Sequence, residues 1–209
     1  VEQIYQSEIQ ASVSRMEMYH RCSYQHFAQY TLKLADRPTY KLDAPDIGSL
    51  FHEALKTITE WVKEDGLTFS DLDQEQANQY AVRALEKLAP ILQHQILHSS
   101  NRYQYMQKKL AQIVARATFV LSEQARKSEF SPVGLELGFG LDNQSLDPTR
   151  LSLANGIELI LRGRIDRVDQ ATINDQLYLR IIDYKSSARG LNLVEVYYGL
   201  ALQTLAYLD

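Results

Sequence analysis

The sequence holds a single cysteine, Cys22, in 209 residues. One thiol excludes an internal disulfide and fits a reducing cytoplasm, here a bacterial one by the resemblance given below. No apolar run approaches the roughly 20 residues that a membrane-spanning helix needs. No G-x-x-x-x-G-K-[ST] phosphate cradle occurs, so ATP hydrolysis is not expected to reside in this segment. Internal repeats and low-complexity tracts are absent too. Val1-Glu2-Gln3 has neither the basic start nor the apolar stretch of a signal peptide. There is no initiator Met, and Tyr207-Leu208-Asp209 falls inside an expected helix, so the sequence reads as a piece of a longer protein.

Hydrophobic residues make up 45% of the chain and charged residues 23%. That balance suits one soluble globular domain over residues 1–209, with room for a helical annex. The net charge of −4 argues weakly against nucleic acid. Local fields steer ligands more than global charge does. Between Arg150 and Gly190, seven Lys/Arg stand against five Asp/Glu, a local excess of +2.

The first part, to about residue 130, reads as helical. Ser12 or Ser14 can cap a helix through Arg15 to Tyr19. Asp36-Arg37-Pro38 links to a short extended piece at Tyr40-Lys41-Leu42. Asp46 is expected to cap a helix with Ile47, Phe51, Leu55, Ile58 and Val62 at helical spacing, ended by Gly66. A third helix is expected from Gln74 to Leu97, bent by Pro90. A fourth should run from Ser100 or Asn101 to Lys127, with Leu110, Ile113, Ala117, Val120 and Leu121 on its apolar face. From about residue 131 the period changes, and a small antiparallel meander is expected. Its strands are Val133 to Leu141, Ile157 to Val168 and Leu177 to Tyr184. Asn155-Gly156 and Asn174-Asp175 mark the hairpin turns. Asn192 and Glu195 have capping-box spacing for a last helix, apolar almost all round and hence buried, through Leu208.

The chemistry-bearing constellation is Gly163-Arg164-Ile165-Asp166-Arg167-Val168-Asp169 followed by Asp183-Tyr184-Lys185. Asp183 and Lys185 share one strand face. If the hairpin turns at Asn174-Asp175, Asp166 and Asp183 are equidistant from it and stand opposite each other. Two carboxylates that close repel unless a cation lies between them. Magnesium, a hard ion that takes oxygen ligands, answers that need. Lys185 is placed to orient a water or to stabilise the transition state. Ordinary surface charges are the bland alternative, disfavoured by the apolar neighbours on both strands. Gln203 and Tyr207, at i and i+4, point together, in a row with Glu195 and Gly199. A Gln on such a helix needs a partner, either a nucleic acid or a neighbouring core group. His52, one turn after Gly48, is a fourth ligand or a structural histidine. Gly48 costs about 1 kcal/mol in a helix, which allows for close approach of a backbone or of DNA. By itself, Cys22 reads as a lone buried thiol.

In this order, the pieces resemble the RecB-type branch of the PD-(D/E)xK nucleases. G-x-x-x-H-x-x-L is matched by Gly48, His52 and Leu55. G-x-I-D-x-V-D is matched by Gly163, Ile165, Asp166, Val168 and Asp169. D-Y-K-[ST] is matched by Asp183 to Ser186, and Q-x-x-x-Y by Gln203 and Tyr207. The flanks, Ala11 to Glu17, Arg21 to Tyr24, Leu42 to Gly48 and Tyr198 to Gln203, are similar to AddB-type nuclease domains of bacterial helicase–nucleases. The resemblance implies an α/β (α+β) fold of the restriction-endonuclease type, a small mixed sheet with helices. It implies an Mg²⁺- or Mn²⁺-dependent exonuclease acting on single-stranded DNA, in double-strand break repair and recombination beside an AddA-type subunit. It implies metal ligands at His52, Asp166 and Asp183, helped by the Tyr184 carbonyl, with Glu136 near a second metal. Lys185 would be the catalytic lysine, and Gln203 and Tyr207 would support the site. Cys22 takes the first ligand position of a [4Fe–4S] cluster, which needs four thiolates. With one thiolate and Ser23 where Pro is usual, an intact cluster is not expected in this segment. A non-catalytic DNA-end clamp or cluster-stabilised scaffold on the same fold is the alternative.

Overall fold

The structure is a computed structural model that describes residues 8–35, 44–91, 101–141, 146–153, 156–185, 190 and 192–207. The expected link at 36–38, the extended piece at 40–42 and the third helix beyond residue 91 lie outside them. One long strand, β4 (Glu158–Ile173), organises a five-stranded mixed sheet. It hydrogen-bonds to β1 (Glu8–Ser12), β2 (Ser131–Phe139), β3 (Thr149–Ser152) and β5 (Gln176–Ile182). β3 runs antiparallel to β4, from Thr149 opposite Leu161 to Ser152 opposite Glu158. β1 runs parallel, from Glu8 opposite Glu158 to Ser12 opposite Arg162.

β1 corrects both the all-helical first part and the all-antiparallel meander. Its sequence, Glu-Ile-Gln-Ala-Ser, carries little strand propensity. The pairing with β4 imposes the conformation, a long-range effect that local pattern does not record. The two hairpins stand where the turn residues put them. Asn174 and Asp175 have φ of 51° and 61°, the pair of left-handed residues that a type I′ turn requires. Gly156, at φ 77°, donates its N–H to the Leu153 carbonyl at 2.9 Å; Asn155 lies outside the described residues.

The chain forms two compact units. The first comprises residues 1–37, 136–167 and 188–209, and the second residues 38–135 and 168–187. β4 contributes to the first up to Arg167 and to the second from Val168.

In the second unit, α3 (Ala44–Glu64) buries Leu55, Ile58 and Val62, as its spacing predicts. Gly66, at φ 70°, ends it as expected: Gly66 N–H bonds to Lys63 O and Leu67 N–H to Val62 O, a Schellman arrangement. Asp46 is not its cap but lies within the first turn, where a carboxylate complements the exposed N–H groups. α4 (Gln74–Leu88) opens on a capping box between Asp73 and Gln76. Pro90 follows its end and does not bend it, because proline has no N–H to continue the ladder. α5 (Asn101–Arg126) is rotated from its expected face. Val114, Thr118 and Ser122 are buried, while Ile113 and Val120 are exposed. α4 buries Ala77, Ala81 and Ala84 completely. Such small side chains favour a tight helix pair, so a small polar row wins the seam over bulkier apolar residues. Ser122 meets its own need by donating to Phe119 O at 2.8 Å.

In the first unit, α1 (Val13–Arg21) is capped by Ser12, whose hydroxyl accepts from the Arg15 N–H. α2 (Ser23–His26) and a π-helical turn (Phe27–Thr31) follow. Cys22 sits extended between α1 and α2 and is exposed, which corrects the expected buried thiol. The break in the helix turns it outward, and its sulfur accepts from the Gln25 N–H at 3.5 Å. His26 accepts from Arg15 Nε at 3.1 Å. Burial first, and the Arg15 charge second, hold its pKa below the ordinary value.

The expected continuous buried last helix is corrected as well. Two short helices take its place, α6 (Leu193–Tyr197) and α7 (Gln203–Ala206). Asn192 caps α6 as predicted. Gly199, at φ 72°, stops it with the same bond pair that Gly66 uses: Gly199 N–H to Val196 O and Leu200 N–H to Glu195 O. Leu193, Val194 and Tyr197 are exposed. Glu195 and Gly199 therefore do not continue the row of Gln203 and Tyr207.

Candidate active site

Within the first unit, β4 carries Gly163, Arg164, Ile165 and Asp166. Ile165 is buried and Asp166 half-buried, the alternation that strand geometry gives. Tyr207 is tied to this strand. Its hydroxyl donates to the Arg164 carbonyl at 3.0 Å and accepts from Gln203 Nε2 at 2.9 Å. The Gln203 amide thus has the partner that its place demands, and that partner is the tyrosine of its own motif. The ring of Tyr207 meets Phe139 edge to face at 5.9 Å.

Gly163 is where Phe139 comes closest: a Cβ there would stand 2.7 and 2.8 Å from two ring carbons. Gly163→Ala is expected to destabilise this unit by about 1–3 kcal/mol, the usual cost of overpacking a filled site. Hydrogen exchange of β4 in the full-length protein reads it. Exchange equal to wild type would show that Phe139 can yield.

Glu136, on β2, has φ 49°, a conformation uncommon for a residue with a side chain. Its side chain is 17% exposed and its Oε2 lies 3.2 Å from Arg164 Nη1. Carboxylate oxygens of Glu136 and Asp166 lie within 4.8 Å of each other. Two acids that close share a proton or a cation, and two hard oxygen donors suit a magnesium-class ion. Strained backbone tends to collect at such places. A cavity of about 220 Å³ adjoins them, lined by Ser14, Glu17, Arg162, Arg164, Gln203 and Tyr207 among others.

Within the second unit, Asp183, Tyr184 and Lys185 follow β5. Tyr184 is buried and meets the rings of Phe51 and His52 edge to face, at 6.4 and 6.0 Å. It anchors the segment against α3, and Asp183 and Lys185 flank it. Lys185 Nζ lies 2.5 Å from Asp183 Oδ2, with side chains 40% and 22% exposed. His52 is half-buried. No atom lies within 4 Å of a Cβ built at Gly48, so among the described residues no backbone approaches it closely.

Asp169 is legible in the sequence only as a motif position. The structure makes it a fully buried carboxylate paired with Arg180 at 2.7 Å. A signal does exist: Asp169 and Arg180 are equidistant from the Asn174-Asp175 turn.

The chain belongs to the PD-(D/E)XK nuclease superfamily, whose profile matches residues 10–209. Among its curated relatives is an ATP-dependent helicase/deoxyribonuclease subunit of the B type from Oceanobacillus iheyensis, 67% identical over 209 residues. Proteins of the same name from Bacillus velezensis and Geobacillus thermodenitrificans are 53% and 52% identical over 99% of this chain. The chain spans 18% of the length of each of these relatives.

Proposed function

We propose that this chain is the nuclease domain of a helicase-associated deoxyribonuclease, and that it hydrolyses phosphodiester bonds in single-stranded DNA with a divalent cation. The carboxylate pair of Glu136 and Asp166, in a nuclease-superfamily fold, carries the proposal. Asp166, Asp183 and His52, with the Tyr184 carbonyl, hold the cation, and Glu136 serves a second position or completes the first. When bound, such an ion lowers the pKa of a water and offsets charge on the scissile phosphate. Lys185 orients that water and stabilises the charge that develops on the phosphoryl oxygens. The water oxygen forms the new bond to phosphorus as the bond to the leaving sugar oxygen breaks. Gln203 and Tyr207 do not touch the reacting atoms; they hold β4 just ahead of Asp166.

Mg²⁺ is the expected ion, with Mn²⁺ as substitute. The names of the relatives support the wider setting: a cytoplasmic bacterial helicase–nuclease, an AddA-type partner, and repair of double-strand breaks by recombination. No described helix is long and apolar enough to cross a membrane. Cys22 contributes one thiolate to a [4Fe–4S] cluster in the full-length protein, the other three coming from outside this sequence.

The test is cleavage of single-stranded DNA by the full-length complex. Activity should vanish with a chelator and return with Mg²⁺ or Mn²⁺. Binding without cleavage under every metal condition would instead support a DNA-end clamp.

A further inference from the structure

α7 is a single turn of helix with no side-chain cap of its own. Such a turn does not persist in water, because nucleation costs more than one or two bonds return. Yet Gln203 and Tyr207 must be held at hydrogen-bond precision to grip the Arg164 carbonyl. Something outside α7 has to fix it.

The fixing group is on α1. Glu17 Oε1 accepts the N–H of Leu202, the residue that opens α7, at 2.7 Å. The bond spans 185 positions of sequence. A carboxylate here does what an absent cap would do, and it complements the positive end of the turn. One turn further along α1, the His20 ring lies against Gly199, where a Cβ would stand 2.8 Å from Cδ2 and 2.9 Å from Cγ. Gly199 itself is at φ 72°. Two residues of α1 therefore grip the connection that leads into α7, one by a charged hydrogen bond and one by packing.

We infer that Glu17 is a positioning residue: through the Leu202 N–H it holds the Gln203–Tyr207 turn, which in turn holds β4 two residues ahead of Asp166. The link runs from the Glu17 carboxylate to Leu202, then through Gln203 to the Tyr207 hydroxyl and the Arg164 carbonyl. Each step is a hydrogen bond or the turn itself. Glu17 also lines the cavity that Arg162, Arg164, Gln203 and Tyr207 share. The inference that this matters for cleavage rests on the proposed function; the mechanical link does not.

The experiment uses the full-length protein with Glu17→Ala and Glu17→Gln. In Glu17→Ala, amide exchange at Leu202 and through the Gln203–Tyr207 turn should quicken about tenfold or more, as expected for a lost bond to a charged acceptor. Turnover on single-stranded DNA should fall about tenfold with KM little changed, the mark of a mispositioned site. Glu17→Gln keeps an acceptor oxygen and should restore much of both. Should Glu17→Ala fail to fold, Gly199→Ala loads the same link from the other end, through its φ and the His20 ring, and should also speed exchange in α7. Unchanged exchange in both alanine variants overturns the inference whatever the activity. Faster exchange with unchanged turnover overturns its bearing on catalysis, as does a rise in KM alone. Faster exchange in a protein whose wild type cleaves nothing supports the link and sinks the nuclease reading instead.

Discussion

Lys185→Ala is expected to lower metal-dependent cleavage of single-stranded DNA by the full-length protein by at least about 10²–10³-fold, the loss seen when one preorganised stabiliser of transition-state charge is removed. The fold should survive. Lys185 is 40% exposed, so its removal opens no core. Neighbouring Tyr184, buried against Phe51 and His52, keeps the backbone of the segment in place. The pair with Asp183 is half in solvent, where ion pairs contribute little to stability. The effect should therefore appear in turnover and not in DNA affinity. Lys185→Arg should not restore the rate, because the planar guanidinium delivers its charge with a different geometry and reach. Cleavage at the wild-type rate by Lys185→Ala would remove Lys185 from the mechanism and, with it, the chemistry proposed for the Asp183-Tyr184-Lys185 segment.

What is legible in the sequence is what short-range chemistry determines. Asn174-Asp175 dictates a left-handed pair and thus a hairpin, and the count outward from that turn pairs Asp169 with Arg180. Gly66 ends α3 because glycine alone takes φ 70° without cost. The same reasoning applied to Gly199 breaks the last helix, but a nearly continuous apolar run conceals it. Apolar character reads as burial there, whereas Leu193, Val194 and Tyr197 face solvent in this chain. Long-range effects are illegible for a different reason. Nothing in Glu8 to Ser12 announces a strand until β4 lies beside it. Nothing in α5 shows that Thr118 and Ser122 will be buried until the alanines of α4 are known to press on them. For the candidate site, the motif spacing places Gln203 and Tyr207 correctly on one turn. The Glu136 backbone at φ 49° and its closeness to Asp166 are tertiary facts, and only the family resemblance points to them.

Arg180→Ala is expected to cost the second unit about 3 kcal/mol or more in local stability, because it strips the partner from a buried carboxylate. Asp169 is fully buried, and the Arg180 guanidinium reaches it at 2.7 Å while lying over the Phe130 ring at 4.6 Å. A third of Arg180 remains in solvent, so some water can enter when the side chain is truncated. That places the expected effect at the low end of the range for broken buried pairs. The asymmetry between the partners makes the prediction sharp. Asp169→Asn leaves no buried charge and keeps an acceptor oxygen, so it should cost less than Arg180→Ala. Adding Asp169→Asn to Arg180→Ala should then restore part of the loss, a coupling that independent sites would not show. Hydrogen exchange along residues 168–182 in the full-length protein reads each variant locally, without assuming that a multi-unit chain unfolds in one step. If Arg180→Ala exchanges like wild type, the pair is not what holds this hairpin, and the apolar packing beneath it carries the strands alone.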